Sequence, residues 1–328
     1  MVGKGNKPSM LASTPGLAPQ PQVTFSDDNG RVTAVLPTGE SVEVLLYGAT
    51  VISWKDKNGD EKLWLSKAAK LDGSKAVRGG IPLVFPVFGT APDHEQTSKL
   101  PQHGFARTSR WEFLGKSTSE STPASSTAAD LSVKLDFGLS SAGLDSDAKS
   151  KWPYAFNLIY SVTLGRESLT TSLVVSNDDD KPFDVQVLLH TYLRVKDISS
   201  VSITGLGSAT YIDKVGGVSP PQTQSASELT ISGEVDRVYT PKDGASPTEV
   251  VPVTVVEGGK TKFTVVRDNL SNVVVWNPWV DKANGLGDFE PKDGYKNMLC
   301  IEPGSVSGWQ TLEAGDAFEG AQTISFSY

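Results

Sequence analysis

The stretch Phe183–Val195, FDVQVLLHTYLRV, decides how the rest of the chain is read. Successive side chains of a strand point to opposite faces. Phe183, Val185, Val187, Leu189, Leu193 and Val195 therefore share one side, while Asp184, Gln186, His190, Tyr192 and Arg194 share the other. The first side predicts a packed core. The second predicts a polar sheet face from which His190 projects.

The same two-residue period recurs outward from this strand. It is visible in QVTFS, RVTAVLP, SVEVLLYG, VISWKD, NLIYSVTLG, SLTTSLVVSN, NVVVWNP and QTISFSY, all short runs rich in β-branched and aromatic residues. Turn clusters such as DDNG, KNGD and SNDDDKP punctuate them. No segment of helical length carries an apolar stripe, and no fixed repeat suggests a propeller or solenoid. The expected fold is all-β, a large antiparallel β-sandwich over residues 23–328. Residues 1–22, rich in Pro, Gly and Ser, predict a disordered tail. Surface insertions are expected at 116–130 (KSTSESTPASSTAAD) and at 140–150 (SSAGLDSDAKS), the first as a long hairpin loop.

Of the 328 residues, 38% are hydrophobic and 21% charged, enough apolar material for a core. The net charge of −8 argues against a nucleic-acid or anionic-membrane surface, so an anionic ligand must be met locally. No run of about 18 apolar residues predicts a membrane span. The N-terminus has no apolar signal-peptide core and Val2 excludes myristoylation, so a cytosolic protein is expected. Asn269-Leu270-Ser271 fits a glycosylation sequon of the kind that arises by chance. The single Cys300 cannot form an internal disulfide. There is no P-loop or dinucleotide fingerprint, and His94, His103, His190 and Cys300 show no metal-ligand spacing. DKANGLGDF lacks the alternating ligands of a calcium loop. No cofactor and no metal are expected.

Candidate chemistry comes from few residues. Glu302 ends the apolar run MLCIE just before Pro303-Gly304, where the chain is expected to turn out of the sheet. Alone it is an ordinary turn carboxylate, and His190 an ordinary strand histidine. Together they would make an acid–base pair. VRGGIPLVFPVFG (77–89) places Arg78 beside two glycines, and LPQHGFARTSRWEFLG (100–115) gathers Gln102, His103 and Arg107 around Gly104. Surface ion pairing is the commoner role for such arginines. Two of them on glycine-containing loops of an acidic chain nevertheless suit a phosphate dianion, because the guanidinium fork donates paired hydrogen bonds. Asp236 in GEVDRVY could accept from sugar hydroxyls. Trp276 or Trp279 in VVWNPW could stack on a pyranose, although tryptophans more often serve the core. Tyr211 and Asp213 in YIDK are expected in a turn.

Taken in order, RGGIPLVFPVFG, LPQHGFAR, LLHTYLRV, DRVY, VVWNPW and CIEPG resemble the glucose-6-phosphate 1-epimerase branch (hexose-6-phosphate mutarotases) of the galactose mutarotase-like family, from about residue 25 to 328. The resemblance implies a large β-sandwich that interconverts aldose anomers without a cofactor. It implies His190 as general acid toward the ring oxygen and Glu302 as general base toward the anomeric hydroxyl. Arg78 and Arg107, with Gln102 beside them, match positions expected to bind a 6-phosphate. Asp236 matches a hydroxyl contact, and His103 an orienting role. Ser305 stands where close relatives are expected to carry histidine. The expected partner is a small hexose 6-phosphate, glucose 6-phosphate foremost, with neither nucleic acid nor membrane, and a monomer is expected. Two rival readings stay open: a non-catalytic phosphosugar-binding protein or sensor, and a mutarotase of unphosphorylated aldoses. Arg78 and Arg107 discriminate the latter.

Overall fold

A computed structural model describes residues 19–28, 30–118, 131–242 and 250–327. Its strands form three antiparallel sheets. Gln22–Phe25, Arg31–Val35, Ser41–Leu45 and Thr50–Lys55 make a four-stranded meander. A nine-stranded sheet runs from an edge at Leu229–Thr230 to an edge at Glu112–Thr118. The third sheet carries the site. There, Met298–Leu312 lies between Asn272–Asn277 and Phe183–Leu189, and also pairs Tyr192–Arg194.

The two large sheets bury a common core. All six apolar residues predicted to share one side of the Phe183–Val195 segment lie in it, with Phe137, Leu158 and Leu173 from the nine-stranded sheet. This is the expected β-sandwich, and each fully buried Leu, Val or Phe contributes about 1.5–3 kcal/mol.

The opposite face of the same strand differs from the expected polar surface. His190 and Tyr192 are buried. Leu188, Tyr192, Val274, Trp276 and Cys300 form a second apolar cluster with Ala283 and Phe289. Those last two come from the short helix Trp279–Gly285 and the loop after it. Alternation identifies the side on which a residue lies, but not what covers that side. Gln186, buried on this face, is satisfied by backbone: its Oε1 accepts from Phe88 N–H at 2.9 Å, and its Nε2 donates to the Val306 and Gly308 carbonyls. These bonds hold the 85–89 loop against the sheet.

Three further expectations are corrected. The chain does not leave the sheet at Pro303-Gly304: Glu302 lies inside Met298–Leu312, with Pro303 opposite Val273 and Gly304 opposite both Asn272 and Leu188. Gly304 serves close packing, since a Cβ there would lie 2.8 Å from the Val187 carbonyl oxygen. Tyr211 and Asp213 lie in a strand, Thr210–Asp213, rather than a turn. Residues 116–118 continue the strand Glu112–Thr118, while the rest of the expected serine-rich loop, 119–130, falls outside the described residues, as does 1–18 of the expected tail. The 140–150 segment folds into a 3-10 turn and the helix Ser146–Lys151, capped by Asp145 accepting from Ala148 N–H at 2.8 Å.

Candidate active site

The arginine-glycine stretch passes under the meander. A Cβ on Gly80, whose φ is +67°, would lie 2.1 Å from the Val51 carbonyl oxygen, so only glycine fits. The crossing delivers Arg78 to the wall of a cavity of about 350 Å³. Its Nε donates to Asp288 Oδ1 and its Nη1 to the Tyr192 hydroxyl, both at 3.2 Å. The next turn repeats the device: Gly104, at φ +69°, would place a Cβ 2.1 Å from the Phe85 carbonyl oxygen. Beside it His103 accepts from Gly89 N–H through Nδ1 at 3.0 Å, which leaves the neutral ring's proton on Nε2.

His190 and Glu302 form part of the cavity lining; His190 directly follows the strand Phe183–Leu189, and Glu302 lies within its neighbour Met298–Leu312. Three aromatic groups hold the His190 ring. Tyr192 stacks on it at 4.7 Å and 7°, Trp276 meets it edge-on at 6.1 Å, and His103 at 6.0 Å. Glu302 is 1% exposed and His190 9%. His190 Nδ1 lies 3.2 Å from Glu302 Oε1, yet the two are not aligned for a hydrogen bond, and Nδ1 and Glu302 Oε2 have no hydrogen-bond partner. A buried polar atom left in this state requires an explanation.

Burial pushes the Glu302 carboxyl well above the usual carboxylate range, and nearby Asp236 pushes it further; Lys214 and Arg107 act in the opposite sense. Burial also pulls the His190 imidazole well below its ordinary value, reinforced by His103, Arg107 and Arg78. Both directions favour one proton on the pair, residing on Glu302.

Most of the predicted residues converge here. Arg78, Gln102, His103, His190, Asp236, Trp276 and Glu302 all line the cavity. Arg107 is not among the lining residues, though its charge acts on both His190 and Glu302, and it donates from Nη2 to the Gln102 carbonyl at 2.9 Å. Trp279 packs on Tyr295 instead, and Ser305, buried, accepts from Gln310 Nε2 at 3.0 Å.

Phe88, Lys214 and Lys282 complete the wall and were not singled out from the sequence. Lys214 Nζ stands 4.5 Å over the Phe88 ring and 3.6 Å from Asp236 Oδ1. It follows Asp213 in YIDK, a segment that reads from the sequence as a turn with Tyr211 and Asp213 as its candidates, so the lysine is passed over. Lys282 pairs with Glu234 at 3.1 Å.

A larger groove of about 780 Å³ opens beside Lys62 and Lys262, but those cations already pair with Asp56 and Glu257. The smaller cavity, with its unpartnered acid–base atoms, is therefore the candidate site. Although their spacing in sequence gives no metal signature, His190, Cys300 and Glu302 bring one potential ligand atom each to within 4.8 Å of one another.

An antiparallel sandwich that sets a buried histidine beside a carboxylate in a polar cavity is suited to an enzyme that moves protons on a sugar. The aldose 1-epimerase family matches residues 31–325, and the chain belongs to it. A Cenchrus ciliaris protein named "Putative glucose-6-phosphate 1-epimerase" is 36% identical over 287 residues, covering 86% of this chain and 80% of the relative. An Escherichia coli K12 protein of the same name is 31% identical over 280 residues, covering 85% and 84%. The crystal structure of a "putative mutarotase" from Salmonella typhimurium superposes with a TM-score of 0.75 at 28% identity, covering 95% of both chains. The protein is an epimerase that interconverts sugar anomers.

Proposed function

We propose that the substrate is a hexose 6-phosphate, glucose 6-phosphate foremost, with His190 and Glu302 as the acid–base pair. The observation that carries this reading is the charge of the cavity wall. Arg78, Lys214 and Lys282 line it with Asp236 and Glu302 alone of the acids; Asp288 and Glu234, which pair with Arg78 and Lys282, lie outside the lining, and burial favours the neutral form of Glu302. In a chain of net charge −8, a cavity with three cations against one fixed anion suits a dianion. The relatives' printed names agree with this choice.

Ring opening starts from the form with the pair's proton on His190, reached by its transfer from Glu302 in the filled cavity; Glu302 then removes the proton of the anomeric hydroxyl while His190 gives one to the ring oxygen. The C1–O5 bond breaks, C1=O1 forms, and the open aldehyde rotates about C1–C2. Ring closure returns both protons with O1 on the opposite face. Each cycle conserves the pair's single proton, and its placement alternates between the two residues. Acid–base groups of this kind typically contribute about 10²–10⁴-fold each. Asp236 accepts from a sugar hydroxyl, Trp276 bounds the ring, and His103 with Gln102 orients the substrate. Arg107 serves the phosphate indirectly, by holding the Gln102 carbonyl.

One observation favours the unphosphorylated-aldose reading: Asp288 already pairs with Arg78, and Arg107 is absent from the cavity lining. Anomer-exchange NMR on glucose 6-phosphate and on glucose, in a buffer that catalyses mutarotation poorly, separates the two. Acceleration of the phosphosugar well beyond glucose supports the proposal. Equal acceleration removes the phosphate role, and binding without acceleration of either sugar removes the catalytic role.

A further inference from the structure

Behind Glu302, outside the cavity lining, stands a donor that proton transfer does not use. Cys300, the chain's single cysteine, is fully buried and lies two positions before Glu302 on one strand, so the two side chains share a face. Tyr192 and Trp276 lie opposite it on the flanking strands. His190 approaches with Nδ1, 3.2 Å from Glu302 Oε1, and one ligand atom from each of the three residues lies within 4.8 Å of the others.

On these residues His190 Nδ1 and Glu302 Oε2 are unpartnered, and the Glu302 side chain is 1% exposed, that of His190 11%. Sugar oxygens can satisfy them during turnover. The Cys300 thiol hydrogen-bonds to Glu302, which holds a third potential ligand atom beside them.

We propose that His190, Cys300 and Glu302 form an inhibitory transition-metal site, taking Zn²⁺ or a similar borderline-soft divalent ion through nitrogen, sulfur and oxygen. The chemistry fits such an ion: three protein ligands leave a fourth position open, here toward the cavity. The 3.2 Å between His190 Nδ1 and Glu302 Oε1 matches one edge of a tetrahedron with bonds of about 2.0–2.1 Å. Rotation of the thiol toward that edge completes the set. Binding displaces the thiol proton and the carboxyl proton to water, leaving thiolate and carboxylate on the metal. The bound ion occupies the atoms assigned to acid–base chemistry, so anomer exchange stops. This inhibition rests on the roles proposed above, whereas metal uptake does not.

The test uses full-length protein freed of metal by a chelator that is then removed. Added Co²⁺ is expected to bind one to one and to produce a sulfur-to-cobalt charge-transfer band that Zn²⁺ abolishes by displacement. Zn²⁺ is expected to block anomer exchange. In Cys300→Ser and Cys300→Ala the band disappears, and zinc sensitivity, read against each variant's own uninhibited rate, falls by more than about tenfold, a loss that even outer-shell substitutions can cause. Wild-type protein without the band overturns the site, as does unchanged zinc sensitivity in either folded variant. A band without loss of anomer exchange overturns the inhibition. Should both variants fail to fold, the wild-type cobalt spectrum decides alone. It does so even if no mutarotase activity is found.

Discussion

His190 Nδ1 and Glu302 Oε1 meet at 3.2 Å inside a cavity where each residue is driven toward its uncharged form. His190 follows the last residue of Phe183–Leu189, and the pairing of that strand with Met298–Leu312, which carries Glu302, brings the two together. If they act as the acid–base pair, His190→Asn and Glu302→Gln should each lower kcat/KM by about 10²–10⁴-fold. Circular dichroism should report an unchanged fold. Near-normal exchange in either folded variant would remove that residue from the mechanism.

Glu302→Gln should also stabilise the protein. The folded carboxyl has a raised pKa, so above the unfolded value of about 4.3 the unfolded chain binds fewer protons and folding is penalised. Each unit of that shift is worth about 1.4 kcal/mol. The variant's advantage should be absent below about pH 4 and grow toward neutrality, where a gain of about 2 °C or more in Tm is expected. Thermal melts of both proteins at the two pH values check this; a pH-independent difference would contradict it.

The same directions set the pH profile. A second proton joins the pair only as pH falls through the depressed His190 value, and the single proton leaves only as pH rises through the raised Glu302 value. The log of kcat/KM should stay flat across the interval between them. Its acid limb should lie below the ordinary imidazole value of about 6.5 and its alkaline limb well above about 4.3, both belonging to the coupled pair. An acid limb at or above the imidazole value would show that the cavity does not hold the pair singly protonated.

For the phosphate, Arg78→Ala should raise KM for glucose 6-phosphate about 10–100-fold, the range expected for hydrogen bonds to a charged group, and leave glucose unaffected. An equal change for both sugars would argue against a phosphate contact.

Tyr192→Phe keeps the ring on His190 but removes the hydroxyl that Arg78 donates to. A KM increase of about two- to tenfold for the phosphosugar, with kcat held, is expected from one neutral hydrogen bond. A fall in kcat alone would instead assign the hydroxyl to the chemical step.

Much of this architecture is legible in local pattern, because strand alternation is a local property. It assigns the six core residues around His190 correctly. It fails where the deciding neighbour is distant. Ala283 and Phe289 cover the presumed polar face from a segment without strand period. Pro303-Gly304 reads as a turn because the close approach of Leu188 to Gly304 is invisible in one dimension. Tyr192 was placed on the correct side, but two same-face residues of a continuous strand stand too far apart to stack. The chain breaks strand geometry at His190 and Thr191, which brings the rings to 4.7 Å. Lys214 is one more surface-type lysine until Phe88 and Asp236 are set beside it.

Tyr192 touches Arg78 with its hydroxyl and His190 with its ring. One side chain thus spans the recognising end and the reacting end of the cavity. In the proposed reading it acts as a ruler fixed at both ends. A descendant adapting to a shorter or longer phosphosugar could not shift the anchor without disturbing the acid, so changes of substrate length and of catalytic competence would have to be inherited together.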